Sequence, residues 1–119
     1  QLLGRCGLPV WSGNDDQTAA IMALGGSGVI SVYANVMPAM CHQIVADFLG
    51  GNQAQAVANH LKYLQLMNDL FMEVNPIPVK TAMNLMGLHG GDMRAPLKLH
   101  MTDDERAELK DILRELQLL

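Results

Sequence analysis

The chain has 119 residues, enough for one domain, and half of them are apolar, with nine Met, eleven Gly and a formal net charge of −4. That composition excludes a disordered tract, a collagen-like repeat and a disulfide scaffold. The acidic balance gives no electrostatic footprint for nucleic acid or an acidic membrane surface, and no apolar run approaches the roughly 18 residues of a membrane span. A soluble, cytoplasmic protein with Cys6 and Cys41 as reduced thiols is expected.

Gln1-Leu2-Leu3-Gly4 reads as the tail of a helix. Leu8-Pro9-Val10-Trp11-Ser12, bounded by Gly7 and Gly13, suits a buried strand with its proline near the start. Gly13-Asn14-Asp15-Asp16 then offers a permissive turn, with Asn14 or Asp15 capping a helix to Leu24 that Gly25 and Gly26 stop. Gly28-Val29-Ile30-Ser31-Val32 is a second buried strand, and Asn35 with Pro38 opens a helix to about Gly50. A strand-helix-strand-helix order predicts parallel pairing. Two parallel strands cannot bury both faces alone, so more sheet is expected outside this sequence.

From Asn52 the strand signal stops. Val57, Leu61, Leu64, Met67 or Asn68, and Phe71 recur at helical spacing, and a second apolar flank at Tyr63, Leu66 and Leu70 predicts a long helix covered on more than one side. Asn75-Pro76 predicts a cap and a proline-led helix through Met83 to Met86, ended by Gly87. A loop is expected from His89 to His100. Thr102 and Glu105 then form a capping box before a helix with Leu109, Ile112, Leu113 and Leu116 on one stripe.

Charge is unevenly spread. Nine of the 20 charged residues lie between Asp103 and Glu115, and the first 61 residues hold only Arg5, Asp15, Asp16 and Asp47. An exposed surface normally carries about a quarter Asp, Glu, Lys and Arg, so something else is expected to cover that half. The sequence, which lacks an initiator Met, reads as the C-terminal part of a longer protein.

Several features invite a chemical reading. Gly25-Gly26-Ser27-Gly28 has the look of a phosphate loop, but it follows a helix and precedes a strand, the reverse of the order in which helix N–H groups face a phosphate. His42, His60, His89 and His100 share no ligand spacing, and adjacent Cys41 and His42 diverge by about 100° on a helix, so no metal site is expected. The Met residues, among them Met22, Met37, Met40, Met67, Met72, Met83 and Met86, suit core filling. Lys80, beside Pro78-Val79, could be a desolvated Schiff-base amine or a carbonyl-bonded lysine in a helix's first turn, and no neighbouring acid or tyrosine favours the first. Ligands of parallel α/β folds meet the C-terminal ends of strands. Ser12-Gly13-Asn14 and Ser31-Val32-Tyr33-Ala34-Asn35 fall there, either as a ligand-facing rim or as helix-starting turns.

Ser12-Gly13-Asn14-Asp15-Asp16, Leu24-Gly25-Gly26-Ser27-Gly28-Val29-Ile30-Ser31-Val32 with Ala34-Asn35-Val36, and Asn75-Pro76-Ile77-Pro78-Val79-Lys80 resemble the 4-hydroxy-tetrahydrodipicolinate synthase (dihydrodipicolinate synthase) family. The likeness continues through Arg94-Ala95-Pro96-Leu97 to the Leu118-Leu119 ending. It implies an α/β fold, a partial (β/α)8 TIM barrel plus a C-terminal helical domain, mostly helical by residue count. Residues 1–50 would be the last two strands and helices, and 51–119 a three-helix extension. It implies condensation of pyruvate with aspartate semialdehyde through a lysine Schiff base in lysine and diaminopimelate biosynthesis, with no cofactor and a homotetramer. The Schiff-base lysine, the tyrosine relay and the lysine-feedback site would lie upstream, leaving no catalytic residue here. Two substrate-binding positions carry over: Gly13 at the end of strand seven, and Ile30, whose backbone carbonyl would face the reacting carbon. Asn14 stands where many relatives have Asp. Alternatives are another pyruvate-dependent aldolase such as N-acetylneuraminate lyase, which usually lacks the Asn-Pro-Ile-Pro-Val-Lys segment, or a truncated, non-catalytic assembly fragment.

Overall fold

A computed structural model describes residues 1–97 and 100–119. Its order is α1 (Leu2–Arg5), β1 (Trp11–Ser12), α2 (Thr18–Ala23), β2 (Gly28–Val29), α3 (Pro38–Leu49), α4 (Gln53–Asp69), α5 (Ile77–Leu85) and α6 (Asp103–Glu115). Two compact units divide it, Gln1–Leu64 and Gln65–Leu119.

The first unit holds both strands. They pair in parallel, Trp11 opposite Gly28 and Ser12 opposite Val29, with Ser27 N–H donating to the Val10 carbonyl and Ile30 N–H to the Ser12 carbonyl. The parallel pairing expected from the element order is present, but each strand is two residues long rather than five. Among the described residues the ladder has two strands, and no neighbour extends it. Single-turn 3-10 segments follow each strand, Asp15–Gln17 and Tyr33–Asn35. Tyr33, Ile44, Phe48, Ala56 and Tyr63 are buried in this unit, and the Tyr33 and Tyr63 rings lie 6.2 Å apart.

Helix ends account for much of the local order. After α2, Gly26 N–H reaches the Ile21 carbonyl and Gly25 N–H the Met22 carbonyl, the paired bonds of a Schellman stop with Gly25 at φ 95°. The same pair closes α3 at Gly51 and Asn52, α5 at Gly87 and Leu88, and α6 at Gln117 and Leu118. A Cβ on Gly26 would stand 2.6 Å from Ile21 Cγ2 and 2.8 Å from its carbonyl oxygen. The glycine stops at 25–26 and 87 are thus where the sequence puts them.

The second unit contains α5, α6 and the end of α4. Thr102 Oγ1 accepts from Glu105 N–H, and a Glu105 carboxylate oxygen accepts from Thr102 N–H at 2.9 Å, so the capping box is complete. Leu109 and Leu113 are fully buried, each contributing about 1.5–3 kcal/mol relative to exposure. Described residues between His89 and His100 are irregular, as expected; Lys98 and Leu99 lie outside the described residues.

Two local expectations fail and a third holds only in part. Neither Asn14 nor Asp15 caps its own helix: Asn14 makes no side-chain cap bond, its N–H instead donating to Ser12 Oγ at 3.2 Å. Asn75 is not a cap, since α5 begins at Ile77 with Pro76 before it and Pro78 in its first turn. On α4 and the turn after it the buried row runs through Ala56, His60, Tyr63, Leu66, Met67 and Leu70, while Val57, Leu61 and Phe71 are exposed. The expected flank at Tyr63, Leu66 and Leu70 is thus the buried one, joined by Met67, whereas the row through Val57, Leu61 and Phe71 faces outward; small Ala56 and polar His60 extend the inner face unseen by a count of large apolar residues.

Candidate functional site at the strand ends

Parallel pairing brings the ends of β1 and β2 to one end of the sheet. Gly13 leaves β1 there, exposed, and a Cβ built on it meets nothing within 4 Å. Ile30 leaves β2 beside it, its N–H held 2.8 Å from the Ser12 carbonyl and its side chain 73% exposed. The two positions singled out by sequence are therefore neighbours across the pair, and the space over Gly13 is open. Ser12 is buried, its hydroxyl donating to the Asn14 carbonyl at 2.6 Å, which folds the chain back directly after the strand.

Asp15 was legible only as a local cap, and the structure uses it otherwise. Its carboxylate is 2% exposed, and one oxygen, Oδ2, accepts from Val32 N–H at 3.0 Å and Tyr33 N–H at 2.9 Å. These are the leading donors of the turn after β2. Ala34 N–H goes to Ser31 Oγ at 2.8 Å and Asn35 N–H to the Val32 carbonyl, so all four donors at the start of that turn are satisfied. No spacing rule announces a bond across 17 residues.

The aromatic and thiol groups nearby are poor acid-base catalysts. Tyr33 is 1% exposed, and its hydroxyl donates to Met37 Sδ at 3.4 Å. Burial, reinforced by Tyr63, Cys41 and Asp15, raises its phenol far above the ordinary value and keeps it neutral. Burial likewise pushes the Cys41 thiol up, against an opposing hydrogen bond from Ser31, which leaves little thiolate to react. Cys41 lines a mainly apolar groove of about 320 Å³ between the strands and α3, with Trp11, Gly28, Val29, Pro38 and Val45. No disulfide joins it to Cys6.

Other candidates resolve into structure. Lys80 Nζ donates to the Asp92 carbonyl at 2.5 Å, the carbonyl-bonded arrangement, and Asn84 Oδ1 holds Gly90 N–H and Gly91 N–H of the same loop. His60 Nε2 lies 3.0 Å from the Asp16 carbonyl. Gly25 to Ser27 form the turn between α2 and β2, and Gly28 is the first residue of the strand. Among the described residues no three His, Cys, Asp or Glu side chains gather as metal ligands would, and no helix is long and apolar enough to cross a membrane.

Residues 5–116 match the dihydrodipicolinate synthetase family. The chain belongs to that family. A 4-hydroxy-tetrahydrodipicolinate synthase of Acetivibrio thermocellus is 48% identical over 110 residues, 92% of this chain and 37% of its own length. The crystal structure of dihydrodipicolinate synthase from Aquifex aeolicus superposes with a TM-score of 0.94 at 37% identity, over 98% of this chain and 40% of that one. The chloride-inhibited enzyme from Acinetobacter baumannii, complexed with pyruvate, superposes with a TM-score of 0.88 at 35% identity over 94% of this chain and 38% of its own. The chain thus spans no more than about two fifths of the length of these family members.

Proposed function

We propose that residues 1–50 are the last two units of a (β/α)8 barrel and residues 51–119 its helical extension. The whole protein condenses pyruvate with aspartate semialdehyde through a lysine Schiff base, in lysine and diaminopimelate biosynthesis. The observation that carries this reading is the parallel strand pair that ends at Gly13 and Ile30, on the side where parallel α/β folds meet their ligands. The pyruvate held by the Acinetobacter relative supports the substrate class.

In such a reaction a lysine amine adds to the pyruvate carbonyl and expels water, and the imine loses a methyl proton to become an enamine. The enamine carbon then attacks the aldehyde. Gly13 leaves room for substrate, and the Ile30 carbonyl orients a proton of the bound intermediate without itself titrating. The lysine belongs upstream; Lys80, tied to a loop carbonyl, is not it. This reading carries with it a cytoplasmic homotetramer. Pyruvate with borohydride should trap an adduct on the complete polypeptide, on a lysine before Gln1, and leave these 119 residues unmodified. An adduct on Lys80, or none on the complete protein, overturns it.

One observation favours a second reading for the isolated chain, that of a non-catalytic unit that associates. Leu8, Leu24, Ile30, Leu49 and Leu61 are 72, 72, 73, 68 and 61% exposed, an apolar display unusual for a free monomer. A monodisperse monomer in sedimentation that binds no apolar dye would remove it.

A further inference from the structure

We propose that Asp15 is a positioning residue for the reaction, its buried carboxylate fixing the turn after β2 and through it the Ile30 carbonyl. The proposal rests on the reading above, in which that carbonyl faces the reacting carbon.

The turn after β2 begins two residues beyond Ile30, at Val32, and its first two donors, Val32 N–H and Tyr33 N–H, find no acceptor on their own segment. The local N-cap position, Val32, carries no hydrogen-bonding side chain. Asp15 supplies the cap from the other strand's loop, with both bonds on Oδ2. Charge-assisted bonds to paired backbone N–H groups are short and directional. Ile30 is therefore anchored on both sides, upstream by its own N–H on Ser12 and downstream by Asp15 on Val32 and Tyr33. Both anchors come from the β1 segment, so the loop that carries Gly13 also sets the loop that carries Ile30. A displacement of about 1 Å at a reacting centre can cost on the order of a hundredfold in rate, which gives a distant carboxylate leverage over chemistry it does not touch.

The role needs an acceptor oxygen at Oδ2 and no negative charge on the substrate side. Asp15→Asn can keep that oxygen in place, Asp15→Ala removes it, and Asp15→Glu moves it by one methylene.

The test is made on the complete enzyme that contains these residues, with steady-state condensation and borohydride trapping of pyruvate measured per folded protein. Asp15→Ala should lower kcat by about tenfold to a hundredfold while trapping and the KM for pyruvate stay close to wild type, because the imine still forms on the upstream lysine. Asp15→Asn should lose no more than about threefold, as a neutral acceptor is weaker but correctly placed. If Asp15→Ala does not fold, Asp15→Glu should show the same split. An Asp15→Ala enzyme with undiminished kcat overturns the inference and leaves the functional reading standing. Equal loss of trapping and turnover overturns it too, as does an Asn variant as slow as the Ala variant. A wild-type enzyme that traps no pyruvate overturns the reading and the inference together.

Discussion

In residues 65–119 short-range interactions suffice: the capping box opens α6, Leu109 and Leu113 fill the interior, and a turn at Gln117 closes the helix. In residues 1–64 the helix stops are equally local, but the strands and the turn after β2 depend on long-range bonds. Two-residue strands pair across 17 positions, Asp15 caps a turn 17 and 18 residues on, and Leu8, Leu24 and Ile30 stay exposed. Sequence neighbours therefore build the helical unit, whereas the strand unit depends on chain-distant partners. The most exposed large apolar residues, Leu8, Leu24, Ile30, Leu49 and Leu61, lie in the unit with scarce charge, as expected where a surface is meant for covering.

Four substitutions would break or sharpen this contrast. Leu109→Ala should cost about 2–5 kcal/mol, because a fully buried leucine leaves a cavity that the surrounding helices fill only in part; denaturant unfolding measures it. Gly13→Val should leave the unfolding midpoint nearly unchanged, since nothing stands within 4 Å of the new Cβ. In the complete enzyme it should lower kcat/KM by about a hundredfold, close to 2.7 kcal/mol, by filling the space for substrate. Full activity in that variant would refute the strand-end site.

Gly26→Ala should destabilise by about 1–3 kcal/mol through overpacking against Ile21, in contrast to the tolerance at Gly13 thirteen residues before it. The smallest effect is pH-dependent and belongs to Asp69. Burial raises its carboxyl above the ordinary value of 3.8, against a hydrogen bond from Gln65 and with a further push from Glu108. A carboxyl whose folded pKa is raised favours the fold while protonated, and that contribution is lost as pH rises through the folded value. Asp69→Asn should therefore be more stable than the parent at pH 7, with the gap closing below about pH 3.8. A gap that widened on acidification would reverse the assignment.

The sequence disclosed most where one residue decides one bond. Thr102 with Glu105, Pro38 at the head of α3 and Gly87 at the end of α5 are of that kind, and the structure has each of them. The parallel order of the strands was also legible, because alternation of strand and helix admits few topologies. Asp15 was not legible, since its sequence neighbours offer a plausible local cap and nothing in its spacing points to Val32. The inner face of α4 was legible at Tyr63, Leu66 and Leu70 but not at its start, because Ala56 and His60 are buried by their surroundings, not by their own hydrophobicity. Of the site, Gly13 and Ile30 were reached through resemblance, and the strand pairing supplies their adjacency. The carboxylate behind them required coordinates.

Trp11 is the only tryptophan of the chain. Its indole is half exposed and sits against β2 so closely that a Cβ on Gly28 would come 3.0 Å from Cδ1. The strand pair thus carries its own fluorophore, placed at the seam between β1 and β2. Emission excited at the indole band reports on that seam alone, with no contribution from a second indole. A shift to shorter wavelength on addition of a complementary polypeptide would record the covering of the strand unit in real time, separately from any change in the helical unit.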